Sequence, residues 1–306
     1  MPFSNNVIPL SGKNLLIFTN KEMPRTTVSF IIITYNSEKC IKKCLASVNK
    51  NKSPRFKTTL VLIDNNSSDR SPDILKKEGI FDTEIICNSQ NLGFAKAVNQ
   101  GINRARKAFD PDFFFLLNPD ATLDNNALEN VILFHENRND LLFSSPIIID
   151  PLINRIWFCG SSISWIFQKT IHDSAIMSDI PYKTLSLSGC ALCIPKKAIE
   201  KVGFFDERFF LYYEDADFCY RAQKAGINLY VVPSSKCFHV ESQSLNNETK
   251  CYSLVKSGLK FFYKHHSKFA KMYFWLIFTA RFTYHKFISK KRCVINGMND
   301  FLKEKT

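Results

Sequence analysis

Three carboxylates stand within four residues in the second half of the chain, directly after an aromatic and apolar run. Glu214, Asp215 and Asp217 follow the segment 209–213, which holds no charged residue. Burying a carboxylate is costly unless it is paired or used in chemistry, so this cluster is a candidate catalytic site. If a helix begins near Glu214, Arg221 lies one turn beyond Asp217 and can pair with it, which leaves Asp215 free for chemistry. An acidic helix start, favoured by the helix dipole, is the alternative.

The elements that must position these acids begin with an alternation of strands and helices in the first 120 residues. Four apolar runs predict buried strands, at residues 27–34, 58–63, 83–87 and 113–117. Three helices are predicted between them, at 38–49, 72–78 and 94–108. This order predicts an α/β fold with a mostly parallel sheet flanked by helices. Ligands of such open sheets bind beyond the carboxyl ends of the strands.

Polar residues follow the predicted strands at that edge. Asp64 comes directly after the second strand, where its carboxylate can accept from a base or a ribose hydroxyl. Gly93 opens a predicted helix, where backbone amides suit a phosphate and Lys96 adds positive charge. Asp120 follows the fourth strand, and Mg²⁺ takes one or two carboxylates together with phosphate oxygens. Each acid alone is better explained as a loop cap, but together with the acidic cluster they predict a ligand site.

The order and spacing of these motifs resemble the family-2 inverting glycosyltransferases, and among them the rhamnosyltransferase-type branch. The resemblance covers roughly residues 26–266 and rests on five segments: Thr-Tyr-Asn-Ser at 34–37, Asp-Asn-Asn-Ser-Ser-Asp at 64–69, Asn-Leu-Gly-Phe-Ala at 91–95, Leu-Asn-Pro-Asp at 117–120, and 203–217. It implies a GT-A (Rossmann-like) fold, a dTDP- or UDP-sugar donor, and a divalent metal ion, Mg²⁺ or Mn²⁺. It also implies transfer of a sugar, with rhamnose favoured, to a hydroxyl of a lipid-linked or cell-surface glycan.

The resemblance also implies which residues hold the metal. The Asp-x-Asp metal motif of the family falls on Asn118, Pro119 and Asp120. Because its first acid is Asn here, Asp120 is the better candidate ligand. His239 follows another predicted strand, at 228–232, and would join the metal or the diphosphate, as a neutral histidine can. An ordinary hydrogen-bonded histidine is the alternative.

The remaining roles follow from the same resemblance. The catalytic base falls on the acidic cluster, where Asp215 is preferred and Glu214 and Asp217 are alternatives. Donor contacts are expected from Thr34, Tyr35, Asn36, Asp64, Asn91, Gly93, Lys96 and Asn118. The acceptor side is expected at Gly189 and Cys190, where small residues let a sugar approach, and at Trp157, which can stack on a sugar face. A tight strand entry and a buried core tryptophan are the alternatives.

The cysteines indicate no metal centre. Cys190 and Cys193 form the one Cys-x-x-Cys among ten cysteines, and no second pair stands at zinc-finger spacing. Two small buried thiols are therefore expected there. The first residues lack the pattern of a signal peptide. Reduced thiols in a cytoplasmic protein are the resulting expectation.

The net charge of +13 is concentrated at the end of the chain, because residues 250–306 hold 13 Lys or Arg and 2 acids. Lys256, Lys260, Lys264 and Lys268 recur every four residues, which predicts one stripe on a helix. The apolar run 272–280 has nine residues, and a bilayer span needs about 20. We expect a basic, aromatic helical tail lying on the anionic inner face of the cytoplasmic membrane. A solvated basic helix is the alternative.

Three regions and one function are therefore predicted. Residues 1–25 form an extension, 26–249 the glycosyltransferase domain, and 250–306 the tail. The site motifs do not support a nucleic-acid partner for the basic tail. A processive polysaccharide synthase would need several long apolar spans, which the sequence lacks. A non-catalytic protein that binds a nucleotide sugar or a membrane is the alternative function, since fold does not fix activity.

Overall fold

The alternation predicted for the first half of the chain is present in the computed structural model, which describes residues 26–77, 82–240 and 246–304. The strands there are β1 (Thr26–Thr34), β2 (Phe56–Asp64), β3 (Asp82–Cys87), β4 (Phe113–Leu117) and β5 (Ala121–Leu123). The helices are α1 (Ile41–Lys50), α2 (Ser71–Lys77), α3 (Phe94–Ala108) and α4 (Ala127–Glu136). The predicted extension 1–25 and the predicted helix end at residue 78 lie outside the described residues.

The second half adds short strands, further helices and a helical tail. Its strands are β6 (Leu142–Asp150), β7 (Arg155–Phe158), β8 (Ser161–Ser164), β9 (Lys169–His172), β10 (Tyr182–Lys183), β11 (Ala191–Pro195) and β12 (Asn228–His239). Its helices are α5 (Lys196–Val202), α6 (Glu214–Lys224), α7 (Asn247–His265), α8 (Ala270–Tyr284) and α9 (Arg292–Lys303). A π-helical turn, His285–Ser289, follows α8.

The central sheet has the strand order β10-β12-β6-β11-β4-β1-β2-β3. Parallel pairing joins β3, β2, β1 and β4, and it also joins β6 to β12, while β11 runs antiparallel between β4 and β6. The parallel strands read as continuous apolar runs because helices flank the sheet and bury them. The predicted α/β fold with a mostly parallel sheet is confirmed.

The strand register brings the polar strand ends together. Thr34 at the end of β1 lies opposite Asp64 at the end of β2, and Asp64 lies opposite Cys87 of β3. The long strand β12 pairs with β5 so that His239 lies opposite Ala121, the residue after Asp120. Two segments more than a hundred residues apart therefore meet at one edge of the sheet.

The tail is helical, as predicted, but its lysine stripe is used inside the protein. Lys256 and Lys260 pair with Glu304 at 2.6 and 2.5 Å, and Lys264 pairs with Asp206 at 2.7 Å. Lys268 lies beyond the end of α7. Three lysines of the stripe are therefore used in ion pairs within the protein, while the membrane association of the tail stays a prediction.

Two further findings concern the tail. Cys251 and Cys293 form a disulfide that joins α7 to α9, so the expectation that all thiols are reduced is wrong for this pair. The packing of α7 against α9 brings the two residues together, which no spacing in the sequence indicated.

Among the helices that the structure describes, none is long and apolar enough to cross a membrane.

Candidate active site

A cavity of about 460 Å³ lies at the carboxyl edge of the sheet. Twelve of the residues predicted from the sequence line it: Tyr35, Asn36, Asn91, Gly93, Asn118, Asp120, Trp157, Gly189, Cys190, Glu214, Asp215 and His239. The other four predicted residues do not line it: Thr34, Asp64, Lys96 and Asp217. The structure therefore brings the acidic cluster and the strand ends into one site.

The acidic cluster begins α6, after a turn with unusual backbone geometry. Tyr212 and Tyr213 both have left-handed backbones, with φ of 67° and 65°. Such conformations cost bulky residues roughly 1–3 kcal/mol each and persist only where packing enforces them. Tyr213 packs against Phe261 and Phe262 of α7 with ring centroids 5.6 and 6.1 Å apart. The tail thus holds the turn that aims Glu214 and Asp215 into the cavity.

Asp215 is held by backbone amides on both oxygens. The amide of Gly189 donates to Oδ2 at 3.0 Å, and the amide of Ala216 donates to Oδ1 at 2.7 Å. Burial raises the pKa of Asp215 above its usual value, and these two hydrogen bonds and the nearby His172 offset part of that rise. A fixed carboxylate with a raised pKa at a cavity wall is suited to accept a proton.

Glu214 lines the same cavity but differs in its surroundings. Burial, followed by the charge of Asp215, raises the pKa of Glu214 well above its usual value. Its Oε2 atom is buried and has no hydrogen-bond partner among the described residues. This environment favours the protonated, neutral form of Glu214, whereas Asp215 has two amide donors that favour its charged form.

Asp217 is a structural acid. Its buried carboxylate accepts from Arg221 at 2.8 Å and from His265 at 2.7 Å, and it also pairs with Lys264. Burial alone would raise its pKa, but the hydrogen bonds from His265, Lys264 and Arg221 lower the pKa below its usual value. The predicted pairing with Arg221 is present, and the contacts with Lys264 and His265 join α6 to α7.

Asp120 and His239 form the candidate metal pair. The Nε2 atom of His239 lies 3.2 Å from Oδ1 of Asp120, and both side chains are buried at the cavity wall. The Nδ1 atom of His239 is buried with no hydrogen-bond partner in the part of the chain described. Trp157 packs on the His239 ring, with centroids 4.8 Å apart.

These donors fit a divalent ion shared with a ligand. No group of three or more His, Cys, Asp or Glu with metal-binding geometry occurs within residues 26–77, 82–240 and 246–304. Two protein ligands match the habit of Mg²⁺, which is held by one or two carboxylates plus phosphate oxygens and water. An imidazole beside a carboxylate also suits Mn²⁺ or another transition metal. Asn118 lines the cavity next to them, and its backbone amide donates to the Cys190 carbonyl at 2.8 Å.

Asp64 fixes the loops at the ends of β1 and β2 through hydrogen bonds. It is buried, and it accepts from the Thr34 hydroxyl at 3.1 Å and from the Ser67 amide at 3.0 Å. The Ser67 hydroxyl accepts from the Asn36 amide at 2.9 Å. Both side chains therefore brace the loop that presents Tyr35 and Asn36, and a direct donor contact from Asp64 or Thr34 stays a prediction.

The amides at the start of α3 have acceptors within the protein. The amide of Leu92 donates to Asn65, that of Gly93 to Asn91, and that of Phe94 to the Phe210 carbonyl at 2.7 Å. Lys96 is exposed and lies outside the cavity lining. These three amides are therefore occupied by the Asn65 and Asn91 side chains and by the Phe210 carbonyl of the segment 209–213, and phosphate binding there stays a prediction.

Gly93 explains why that segment comes so close. Its φ is +80°, and a Cβ atom at this position would lie 2.5 Å from the Phe210 carbonyl oxygen. Only glycine fits both the left-handed backbone and the contact. The wall that carries Asn91 is thus joined to the wall that carries Asp215.

The hairpin of β8 and β9 supplies site residues that the sequence did not single out. Ser161, Thr170 and His172 line the cavity, and His172 packs edge-on against Trp157, with centroids 5.5 Å apart. The strands of this hairpin have four residues each, too few for a clear alternating pattern. The one signal in the sequence was that His172 follows Trp157 by fifteen residues, and Trp157 was expected to stack on a sugar.

Two small residues, Gly189 and Cys190, line the part of the cavity where an acceptor was predicted. Gly189 lies against the Phe94 ring, and the space beside it admits few side chains, since an added Cβ would come within 3.3 Å of that ring. Cys190 and Cys193 are buried free thiols, which confirms the interpretation of the Cys-x-x-Cys. Burial raises the pKa of both thiols, so neither is a reactive thiolate.

Three curated proteins resemble this chain in sequence. The low-salt glycan biosynthesis hexosyltransferase Agl10 of Haloferax volcanii is 24% identical over 208 residues, 66% of this chain and 63% of that protein. The dTDP-rhamnosyl transferase RfbF of Shigella flexneri is 26% identical over 211 residues, 68% and 67% of the two chains. The N-acetylglucosaminyl-diphospho-decaprenol L-rhamnosyltransferase of Mycobacterium tuberculosis is 24% identical over 243 residues, 71% and 77%.

A solved structure shares the fold. The crystal structure of GalNAc-T7 with UDP, GalNAc and Mn²⁺ superposes with a TM-score of 0.66 at 16% identity, over 92% of this chain and 56% of that one. This chain thus spans less than two thirds of GalNAc-T7 and of Agl10. The model of the Glycosyl transferase family 2 matches residues 29–203, more than half of the 306 residues. With its GT-A fold, the chain belongs to glycosyl transferase family 2.

Proposed function

We propose that this protein is an inverting, metal-dependent glycosyltransferase in which Asp215 is the catalytic base. The observation that carries the proposal is that Asp215 lines the same cavity as Asp120 and His239. A base and a cation site in one cavity are the two groups that transfer from a nucleoside-diphosphate sugar needs.

The transfer step follows from this placement. The Asp215 carboxylate takes the proton of the acceptor hydroxyl as that oxygen bonds to the anomeric carbon of the donor sugar. The bond from this carbon to the diphosphate oxygen breaks, and its electron pair leaves with the nucleoside diphosphate. Asp120 and His239 would hold a divalent cation that offsets the charge of the diphosphate. Attack opposite the leaving group inverts the anomeric centre.

The names of the relatives support a choice of substrates. RfbF is a dTDP-rhamnosyl transferase, and the Mycobacterium tuberculosis relative is named for a rhamnose transfer to a lipid diphosphate sugar. We therefore propose rhamnose from a dTDP-sugar, with a UDP-sugar as the next candidate donor, since GalNAc-T7 binds UDP. The acceptor is a hydroxyl of a lipid-linked or cell-surface glycan. The proposed location is the inner face of the cytoplasmic membrane.

Donor hydrolysis with a panel of nucleotide sugars tests this function. We expect release of one nucleoside diphosphate in the presence of Mg²⁺ or Mn²⁺, and no release with EDTA. Asp120→Asn is expected to weaken the response to metal, while Asp73→Asn, which changes an exposed acid of α2, leaves it unchanged. Release at the same rate with EDTA would contradict metal dependence. Nucleotide binding without turnover, even with glycan acceptors, would instead indicate a non-catalytic binding protein.

A further inference from the structure

The helix α8 exposes an apolar face. Phe269, Met272 and Leu276 are 88%, 76% and 67% exposed. Their spacing of three and four residues places them on one side of the helix. The opposite side, with Phe274 and Phe278, is buried against α7 and α9. Contiguous exposed apolar side chains of this size mark an interaction surface.

The tip of the hairpin of β8 and β9 extends this face. Ile166 and Phe167 are both exposed at the tip. The Tyr273 hydroxyl donates to the Ile166 carbonyl at 3.0 Å, and the Arg281 guanidinium donates to the Phe167 carbonyl at 2.7 Å. The tip and α8 therefore form one surface, which we call the α8 face.

The charged residues of the segment that includes α8 all have one sign. Residues 266–299 contain no Asp or Glu and seven Lys or Arg: Lys268, Lys271, Arg281, Lys286, Lys290, Lys291 and Arg292. These differ from the lysines of α7, which pair with protein acids. Lys271 and Lys286 instead lie over the aromatic rings of Tyr263 and Phe282. Exposed apolar side chains among cations match the surface of an anionic bilayer.

The same hairpin reaches the candidate active site at its other end. Ser161 and His172, which pair at its base, line the cavity that holds Asp215, and so does Thr170 further along β9. Its strands of four residues separate tip from base by roughly 13 Å, at about 3.3 Å per residue. An acceptor whose lipid lies at the α8 face can therefore present its sugar to the cavity.

Two other occupants fit the α8 face less well. A second copy of this chain would bring seven cations against seven cations with no acid between 266 and 299 to pair them. A nucleic acid would meet the cations, but the exposed methionine and leucine offer it little. Aliphatic side chains gain from burial in acyl chains, so the composition of the face favours lipid.

We propose that the α8 face docks on an anionic phospholipid bilayer and places the cavity at the membrane surface, where it receives a lipid-linked acceptor. The docking itself stands on the apolar and basic residues of α8 and the hairpin tip. Only the identity of the acceptor rests on the proposed glycosyl transfer.

Sedimentation of the full chain with vesicles tests the docking. The probes are vesicles of phosphatidylcholine alone and of phosphatidylcholine with phosphatidylglycerol. We expect binding at least about tenfold tighter to the anionic vesicles, since each cation near them contributes about fivefold. The double variant Met272→Ser and Leu276→Ser should bind the anionic vesicles about tenfold more weakly. The control Leu152→Ser and Ile153→Ser alters equally exposed residues of the turn 151–154 and should bind like the parent chain.

Several outcomes would overturn the docking. They are absence of binding to either vesicle, equal losses in the double variant and the control, or retention on DNA with no vesicle binding. Donor hydrolysis measured in the same samples separates the two proposals. Hydrolysis without vesicle binding contradicts the docking and leaves the function, whereas vesicle binding without hydrolysis supports the docking alone.

Discussion

Asp215 has the geometry of a base whose protonation limits the reaction at low pH. Burial raises the pKa of its carboxyl above the usual 3.8, and the Gly189 and Ala216 amides partly oppose that rise. The carboxylate is therefore charged above the raised pKa and becomes protonated as the pH falls through it. We expect kcat/KM to fall on an acid limb whose midpoint lies above pH 3.8. Rates measured across pH with saturating metal check this, and a midpoint at or below that value contradicts it.

Glu214 is expected to matter for its shape and not for its charge. Burial, then the charge of Asp215, raises its pKa well above the usual value, which favours the neutral carboxyl. Glu214→Gln keeps a neutral group of the same size, so turnover should stay within about threefold of the parent chain. Steady-state kinetics with the best donor checks this. A loss of about a hundredfold or more would indicate that Glu214, and not Asp215, is the base.

At the scale of elements, the close contact between the start of α3 and the segment before α6 requires glycine at position 93. A side chain at Gly93 would suffer both a positive φ and contact with the Phe210 carbonyl. Gly226 has a similar φ of +76°, but an added Cβ there meets no atom within 4 Å. Gly226→Ala should therefore cost about 1 kcal/mol of unfolding free energy, and Gly93→Ala at least about 2 kcal/mol more.

Urea unfolding of the two glycine variants makes this comparison. Because Gly93 joins two walls of the cavity, Gly93→Ala should also lower turnover, whereas Gly226→Ala should not. Equal losses of stability in both variants would show that backbone strain alone matters and that the contact with Phe210 does not.

The carboxylate of Asp217 joins α6 to α7. Asp217→Asn leaves Arg221, Lys264 and His265 without their shared anion, so it should lower the unfolding free energy by about 3 kcal/mol. Asp110→Asn is the control, since Asp110 forms an exposed ion pair with Lys196 that is worth less than about 1 kcal/mol. Denaturant unfolding at neutral pH measures both.

The pH dependence of this stabilisation has a definite sign. The pKa of Asp217 is lower in the folded protein than the usual 3.8, because hydrogen bonds from His265, Lys264 and Arg221 outweigh its burial. The stabilisation is therefore complete above the usual value and is lost as the pH falls through the lower folded-state pKa. The difference in stability between the parent chain and Asp217→Asn should shrink in that acidic range. A difference that stays constant there would contradict the ion-pair explanation.

Elements with a strong local pattern could be predicted from the sequence. The strands β1 to β4 are apolar runs that end in polar residues, and α3 and β4 have the predicted bounds. The hairpin of β8 and β9 was not predictable, because its short strands are fixed by packing. Trp165 at its turn lies against Phe261 and Phe262 of α7, almost a hundred residues later.

The sequence did not show which polar groups have partners on distant segments. The period of the α7 lysines was correct, but Glu304, Asp206 and Asp217 lie opposite them only in the folded chain. The α3 amides fit a phosphate by local pattern, yet Phe210 and the Asn65 and Asn91 side chains accept from them. Local sequence shows which groups can bind, and tertiary contacts decide which are already occupied.

At the scale of the whole molecule, the basic tail packs against the part of the chain that carries the candidate active site. The Ser257 hydroxyl of α7 donates at 2.7 Å to the carbonyl of Leu211, the residue directly before the turn that leads into α6. Gly258 lies under the Tyr213 ring, where an added Cβ would come within 3.2 Å. The tail therefore supports the acidic cluster with α7 and exposes the α8 face on its other side. Catalysis and the proposed docking would share one set of helices.

The account depends most directly on Asp215, so turnover and nucleotide binding of Asp215→Asn form the decisive measurement. The variant keeps the size of the side chain and removes the proton acceptor, while Asp120 and His239 stay in place. We predict a loss of turnover by about a thousandfold or more, with nucleoside-diphosphate affinity within about threefold of the parent chain. Asp73→Asn should match the parent chain in both. Turnover of Asp215→Asn at the parent rate would contradict the central claim.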